Sequence, residues 1–316
     1  MAYSMSIWRR IPLPMAALSL ALFSLGNLWG TAIPFLRNGL GGIAGVILIA
    51  YTIRILADLP KFAKEMAQPP MASIFATYPM SFVLFSTYLK QWVPVLAEPI
   101  WWTGLLMHIC LILWFTIKHA FPFQWRKTMP SWFVLYVGIA TAAVTAPAMN
   151  QKTVGTTVIY FAIAAWVILL PTIGYRYLKG DSLPAPLMPT WAIVAAPTSL
   201  CLAGLLASNP QAPTLLVYIL QVVALICYFL GLPALKGLGN LKFLPAISAY
   251  TFPMVISAIA AKSSLAWFTS QGVEHFAFAW VSRFSLWVAT FATIVVLTRY
   301  VVFLLTPTIP NQIERG

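Results

Sequence analysis

Apolar stretches of about twenty residues follow one another along almost the whole chain, and they limit the possible folds more than any other feature. Each stretch is long enough to cross the hydrocarbon core of a bilayer as a helix. Only 8% of the residues are charged and 61% are hydrophobic, whereas a soluble domain carries about 25% charged residues. We therefore predict an all-α integral membrane protein with a single transmembrane domain over residues 1–316.

The apolar pattern predicts ten transmembrane spans. They cover residues 12–30, 38–57, 71–93, 97–117, 130–149, 154–175, 188–208, 212–232, 244–267 and 280–306. The odd-numbered spans begin at residues 12, 71, 130, 188 and 244, which are 56 to 59 residues apart. Regular spacing of this kind is typical of duplicated units. The unit here is a helical hairpin, used five times.

Helix-breaking residues recur at one position of this repeat. Four of the odd-numbered spans contain a proline there and the fifth span has a glycine, so the set is Pro14, Pro79, Gly138, Pro197 and Pro253. A proline inside a helix removes a backbone donor, and in a membrane the freed groups need neighbouring helices, hydroxyl side chains or water. We expect five kinked odd-numbered helices in an inner ring around a passage, with five smooth even-numbered helices outside. Helix packing alone is the other explanation of the prolines.

The basic residues are divided unequally between the two sides of the membrane. With Met1 on the inner side, 14 of the 19 Lys and Arg residues fall on that side and 5 on the other. This asymmetry orients helices during insertion. We expect a multi-pass protein of the inner or plasma membrane with both termini in the cytoplasm. Topology then explains the net charge of +13 without a nucleic-acid partner.

The ionisable residues argue against an enzyme. The six acidic residues all lie in loops or near span ends, so no carboxylate pair is available for acid–base chemistry or for coupling to protons or sodium. His108 is expected to pack with a hydrogen-bonded ring, because no second ligand lies three or four residues away. The three cysteines are interpreted as small buried hydrophobes: Cys110, Cys201 and Cys227. We expect neither a metal nor a cofactor.

The sign of a permeant ion follows from what the spans contain. A cation channel normally has a ring of Asp or Glu or a carbonyl filter motif, and the spans show neither. Anions or neutral solutes are therefore favoured. The inner basic residues would concentrate anions at the cytoplasmic mouth.

Four segments, PLPMAALSLALFSL, PSWFVLYVGIA, VAAPTSLCLAG and AYTFPMVISAIA, resemble the tellurite-resistance/dicarboxylate transporter family, and the resemblance extends over all ten spans in order. It implies a ten-helix fold with quasi-fivefold symmetry around a central pore that the odd-numbered helices line. It also implies a homotrimer in membrane lipid, with one pore in each protomer. In this family a phenylalanine of the ninth span closes the pore, and the matching residue is Phe252.

The function that the resemblance implies is a gated passive channel for small monovalent anions such as chloride or nitrate. An exporter of C4-dicarboxylates or of oxyanions such as tellurite is the alternative within transport. A membrane scaffold that conducts nothing is the alternative from another class, and the broken inner helices argue against it.

Overall fold

The computed structural model describes residues 10–240, 243–273 and 276–306, and the regular structure in these ranges is helical. The α-helices there are α1 (Ala16–Trp29), α2 (Pro34–Ala57), α3 (Leu59–Met66), α4 (Pro69–Ile74), α5 (Thr77–Trp92), α6 (Pro94–Phe115), α7 (Ser131–Tyr136), α8 (Ala140–Thr145), α9 (Lys152–Leu178), α10 (Ala196–Ser208), α11 (Thr214–Gly231), α12 (Phe252–Ser270) and α13 (Phe276–Leu305). Tighter 3₁₀ segments cover Leu13–Met15, Trp125–Lys127, Ala146–Met149, Ala185–Ala195, Leu232–Gly239 and Pro245–Tyr250.

Eight helical segments of the described chain are long and apolar enough to cross a membrane, and they fall on eight of the predicted spans. The first and fifth predicted spans correspond to shorter apolar helices, Leu13–Trp29 and Ala140–Met149. The protein is therefore a helical membrane protein with several crossings. The number ten remains a prediction.

Burial separates the segments into two groups. In the long odd-numbered segments, Pro69–Trp92, Ala185–Ser208 and Pro245–Ser270, 67% to 83% of the most apolar stretch is buried. In the even-numbered segments the buried share is only 28% to 39%. Helices that are apolar on every side and still exposed are suited to contact with lipid. The helices of the odd-numbered spans thus form the interior of the protein.

The interior helices contact one another in a closed order. α1 packs against α5, α5 against α8, α8 against α10, α10 against α12, and α12 against α1. Each of them also packs against the helix that follows it in the chain, so the pairs are α1–α2, α5–α6, α8–α9, α10–α11 and α12–α13. The hairpin is therefore the unit of packing, and five hairpins close a ring. Quasi-fivefold symmetry of that ring remains a prediction.

The prolines lie where a short or 3₁₀ piece gives way to an α-helix within one helical segment, and their role as kinks of pore helices remains a prediction. The ninth span forms a 3₁₀ segment up to Tyr250, and α12 then begins at Phe252, so that Pro253 is the second residue of the new helix. In the first turn of a helix the backbone N–H has no partner within the helix, and proline is tolerated there. The mid-helix penalty of about 3 kcal/mol is thereby avoided.

The other three prolines follow the same rule. Pro197 is the second residue of α10, Pro79 is the third residue of α5, and Pro14 lies in the 3₁₀ segment that leads into α1. The helices of the even-numbered spans differ, because α6 (the fourth span) continues through Pro99 and α9 (the sixth span) continues through Pro171. Prolines are therefore present in the helices of both groups of spans, and those inside α6 and α9 leave the helix continuous.

Gly138 lies in the break between α7 and α8, where the backbone is crowded. A Cβ atom at this position would lie 1.9 Å from the carbonyl oxygen of Val134 and 2.8 Å from the sulfur of Met80. No side chain fits in that space. The glycine is thus required by the close approach of the chain to itself.

Hydroxyl side chains satisfy carbonyl groups at the breaks. Thr77 donates to the carbonyl of Ile74 at 2.9 Å, and Thr251 donates to the carbonyl of Ser248 at 2.7 Å. Such bonds replace those that a continuous helix would make. They allow an interrupted helix to lie at depth in the membrane.

Candidate functional site

A central cavity lies where the interrupted helices meet. Its volume is about 40 Å³, which leaves room for a few water molecules at most. All five odd-numbered spans contribute to its wall, through Pro14 and Ala17, Thr77 and Met80, Phe133 and Gly138, Ala196 and Pro197, and Phe252 and Pro253. The breaks of the five inner helices therefore converge on one space.

The structure brings together most of the residues predicted for the site. Pro14, Gly138, Pro197 and Pro253 line the central cavity, as does Phe252. Pro79 is buried in α5 without lining the cavity, which that helix reaches through Thr77 and Met80 instead. Whether any of these residues controls an ion pathway remains a prediction.

The wall of the central cavity is almost entirely apolar. Among the described residues that line it, none carries a charge. Each hydroxyl group in the wall already donates to the carbonyl three residues earlier in the chain. These bonds join Thr77 to Ile74, Thr190 to Leu187 at 2.6 Å, and Ser248 to Pro245 at 3.4 Å. A narrow space of this kind holds water poorly, which is how hydrophobic constrictions close channels.

Phe252 occupies the first position of α12, directly after the break in the ninth span. Its side chain is only 7% exposed. The hydroxyl of the preceding residue, Thr251, donates mainly to Ser248 at 2.7 Å and more weakly to the carbonyl of Ala17 at 3.4 Å, which connects this point of the chain to α1. Anchoring at Thr251 and the fixed backbone angle of Pro253 together hold the ring at the wall of the central cavity.

Two basic residues assigned to the inner side are ion-paired. Arg54 is only 2% exposed and binds the carboxylate of Glu65, while its Nε donates to the carbonyl of Ile11 at 3.2 Å. Arg176 pairs with Asp181 at 2.8 Å in a more exposed position. These pairs reduce the positive potential expected from the inner basic residues. The sequence gives no sign that Arg54 is buried, because its partner lies in a separate short helix, α3.

His108 and two of the three cysteines are buried. The ring of His108 is buried, and its Nε2 lies 2.8 Å from the carbonyl oxygen of Leu135, which supports a packing role. Cys201 and Cys227 are buried as expected, whereas Cys110 is exposed on α6. The prediction for Cys110 was wrong because α6 turns that face outward. In the described part of the chain, His, Cys, Asp and Glu form no group of three that could hold a metal ion.

Two polar residues of α11 were missed from the sequence. Gln221 and Tyr228 are buried at 3% and 2% exposure, although the helix around them is apolar. A glutamine in the middle of an apolar span is the signal that would have identified the first of them, since such residues usually face the bundle interior.

The amino-acid sequence is similar to those of known proteins. The tellurite resistance protein TehA homolog of Haemophilus influenzae is 26% identical over 278 residues, which cover 85% of this chain and 83% of the relative. Residues 8–301 match the family described as voltage-dependent anion channel. Because that match includes nearly every residue described above, the chain belongs to the voltage-dependent anion channel family.

Proposed function

We propose that the protein is a passive channel for small monovalent anions and that Phe252 closes its pore. The observation that carries this proposal is the convergence of five interrupted helices on one apolar cavity with Phe252 in its wall. The family description supports transport of anions and not an enzymatic role. The path would run along the axis of the ring formed by α1, α5, α8, α10 and α12.

A phenyl ring can close such a pore without a charged plug. It fills the constriction sterically, and its apolar surface disfavours the water that a hydrated anion brings with it. Opening then requires that the ring leave the axis. The break before α12 supplies a place where a small change of backbone angle moves the ring, since Phe252 stands at the first position of the helix.

The helix ends around the central cavity favour anions. α1, α5, α8, α10 and α12 all begin at the breaks, so their N-termini lie near the cavity. The N-terminus of a helix carries a partial positive charge. The pieces that end at the same breaks are short or of 3₁₀ type, and we expect their opposing dipoles to be weaker. An anion would thus be stabilised at depth without a basic side chain.

Flux through reconstituted liposomes tests the proposal. We expect anion efflux from Phe252→Ala vesicles that rises linearly with the gradient, and a reversal potential that follows the anion gradient. Cation gradients should have no such effect. If Phe252→Ala vesicles remain tight to chloride and nitrate, the channel proposal is wrong and the scaffold alternative is favoured.

Export of oxyanions or C4-dicarboxylates is the second candidate function. It is favoured by the name of the Haemophilus influenzae relative, which refers to tellurite resistance. A carrier would show saturable flux, whereas a channel would not saturate at moderate concentration. Tellurite and malate efflux, measured in the same vesicles as chloride efflux, separates the two.

We also propose a homotrimer in the inner or plasma membrane, with one pore in each protomer and both termini in the cytoplasm. The exposed apolar faces of α2, α6, α9, α11 and α13 support contact with lipid and with neighbouring protomers. Native mass spectrometry of the full chain tests the trimer. A monomer that conducts would contradict it.

A further inference from the structure

A polar pocket lies beside a different face of α10 and α12 from the central cavity. Ser199 and Ser257 line it, whereas Pro197 and Phe252 of the same two helices line the central cavity. α11 and α13 complete its wall with Gln221, Tyr228 and Ser285. Its volume is about 20 Å³. The polar pocket thus lies between four helices, behind the inner ring.

Two buried polar groups face this pocket without a hydrogen-bond partner among the described residues. They are the Oε1 atom of Gln221 and the hydroxyl of Tyr228. The two residues are seven positions apart on α11 and therefore lie two turns apart on one face of the helix. Inside a membrane no bulk water is available to satisfy such groups, so each of them needs a ligand.

We propose that the polar pocket binds water, which hydrogen-bonds to Gln221 and Tyr228. A water molecule donates to an amide oxygen and accepts from a phenol hydroxyl, and these are the two unpaired groups. The hydroxyls of Ser257 and Ser285 donate to the carbonyls of Pro253 at 2.8 Å and Ser282 at 3.1 Å. Their oxygens remain able to accept further hydrogen bonds from water.

Volume and charge both favour water as the ligand. A water molecule needs about 10–15 Å³ of such space, so the pocket has room for one or two. A metal cation would require several anionic or strongly polar oxygen ligands, and the described residues that line the pocket include no carboxylate. Water also satisfies the amide of Gln221 in either orientation, because it can donate or accept.

The bound water would connect α11 and α13 to the faces of α10 and α12 that do not line the central cavity. Ser257 lies one turn after Pro253, so the water would contact the inner ring close to its break. The inference rests on packing and hydrogen bonding. It stands whether or not the central cavity conducts anions.

Radiolytic hydroxyl labelling of the full chain in lipid nanodiscs tests the proposal. Radicals formed from a bound water modify the side chain beside it, even where bulk solvent is excluded. Tyr300 is the matched control, because it is equally buried but its hydroxyl donates to the carbonyl of Pro245 at 2.6 Å. Tyr51 is a second control, paired with Leu13 at 3.0 Å. We expect Tyr228 to be modified severalfold faster than either control. Equal rates for the three tyrosines would overturn the proposal.

A substitution gives an independent measurement. Gln221→Leu removes one water ligand, so the labelling of Tyr228 should fall severalfold toward the rate of Tyr300, and the melting temperature should not rise. A dry pocket predicts the reverse, because leucine would then replace an unpaired amide and raise the melting temperature. Should the variant fail to fold, the comparison of tyrosines in the parent protein decides the question.

Discussion

The hydroxyl of Ser257 shares its one proton between the carbonyl of Pro253 in its own helix, at 2.8 Å, and the carbonyl of Ala195, at 3.1 Å. Ala195 is the last residue before α10, and its carbonyl also accepts a bond from Ser199 at 3.0 Å. A side chain of α12 therefore satisfies the break of a neighbouring inner helix. The relative position of α10 and α12 depends in part on this one hydroxyl.

We expect Ser257→Ala to lower the free energy of unfolding by about 0.6 kcal/mol, which is the average for a hydrogen bond between membrane helices. The matched control is Ser270→Ala at the exposed end of α12, where the one partner of the hydroxyl among the described residues is Trp267 of its own helix. Unfolding by detergent titration measures both variants. Equal losses would show that the bond between α10 and α12 contributes nothing.

Substitutions at Phe252 should change anion flux in the order of side-chain size. Alanine should give the largest anion efflux and leucine an intermediate value, because both steric filling and dewetting decrease with a smaller side chain. Phe291→Ala is the control, since Phe291 is 63% exposed on α13. The measurement is efflux at equal amounts of folded protein. A Phe252→Ala variant that conducts no more than Phe291→Ala would exclude Phe252 as the gate.

Gly138→Ala should prevent correct folding or destabilise the protein strongly. The added methyl group would collide with the backbone of Val134, and overpacking typically costs about 1–3 kcal/mol or more. Gly174→Ala on α9 is the control, because a methyl group added there would have no neighbouring atom within 4 Å. Size-exclusion chromatography of solubilised protein compares the two yields. A normal yield of Gly138→Ala would show that the break between α7 and α8 relaxes easily.

Glu65→Ala should be far more damaging than the same change at the second ion pair. It leaves the guanidinium of Arg54 buried and unpaired, a situation that costs about 3–5 kcal/mol. Asp181 is 48% exposed, and Asp181→Ala should cost at most about 1 kcal/mol. Thermal melting in one detergent measures both variants. Similar melting temperatures would contradict the assignment of Arg54 to a buried environment.

The topology prediction can be tested at the two ends of α9. Lys152 and Lys179 are both exposed and flank that helix. In a background where the exposed Cys110 is replaced by alanine, an impermeant maleimide added to intact cells should label Lys152→Cys. It should label Lys179→Cys only after permeabilisation. The opposite pattern would place both termini outside.

The class of protein could be predicted from the sequence because it depends on local properties, and the repeated prolines marked the places where the spans are interrupted. Span length, hydropathy and the spacing of Pro197 and Pro253 are read along one chain. The order of packing could not be predicted this way, since contacts such as α12 with α1 join distant segments. The same reason explains why the Arg54–Glu65 pair and the surroundings of Gln221 were missed.

The position of Pro253 shows the limit of local reasoning most clearly. In sequence it interrupts an apolar stretch and suggests a bend within one helix. In the structure a 3₁₀ segment ends at Tyr250 and α12 begins at Phe252, so the proline lies in the first turn of an α-helix, where it is tolerated. The ending depends on hydroxyl and backbone contacts from neighbouring helices, such as that between Thr251 and Ala17.

Because α12 packs against α1, the ring of inner helices can close only late in synthesis. Hairpins leave the ribosome in chain order, so the contact between α1 and α12 forms only after the last hairpin has been made. Before then the carbonyl of Ala17 and the hydroxyl of Ser199 lack the partners that Thr251 and Ser257 later supply. A nascent chain arrested before Phe252 would be an open-sided bundle with polar groups facing lipid. Until the final hairpin inserts, membrane quality control could therefore recognise the incomplete bundle by these exposed polar groups.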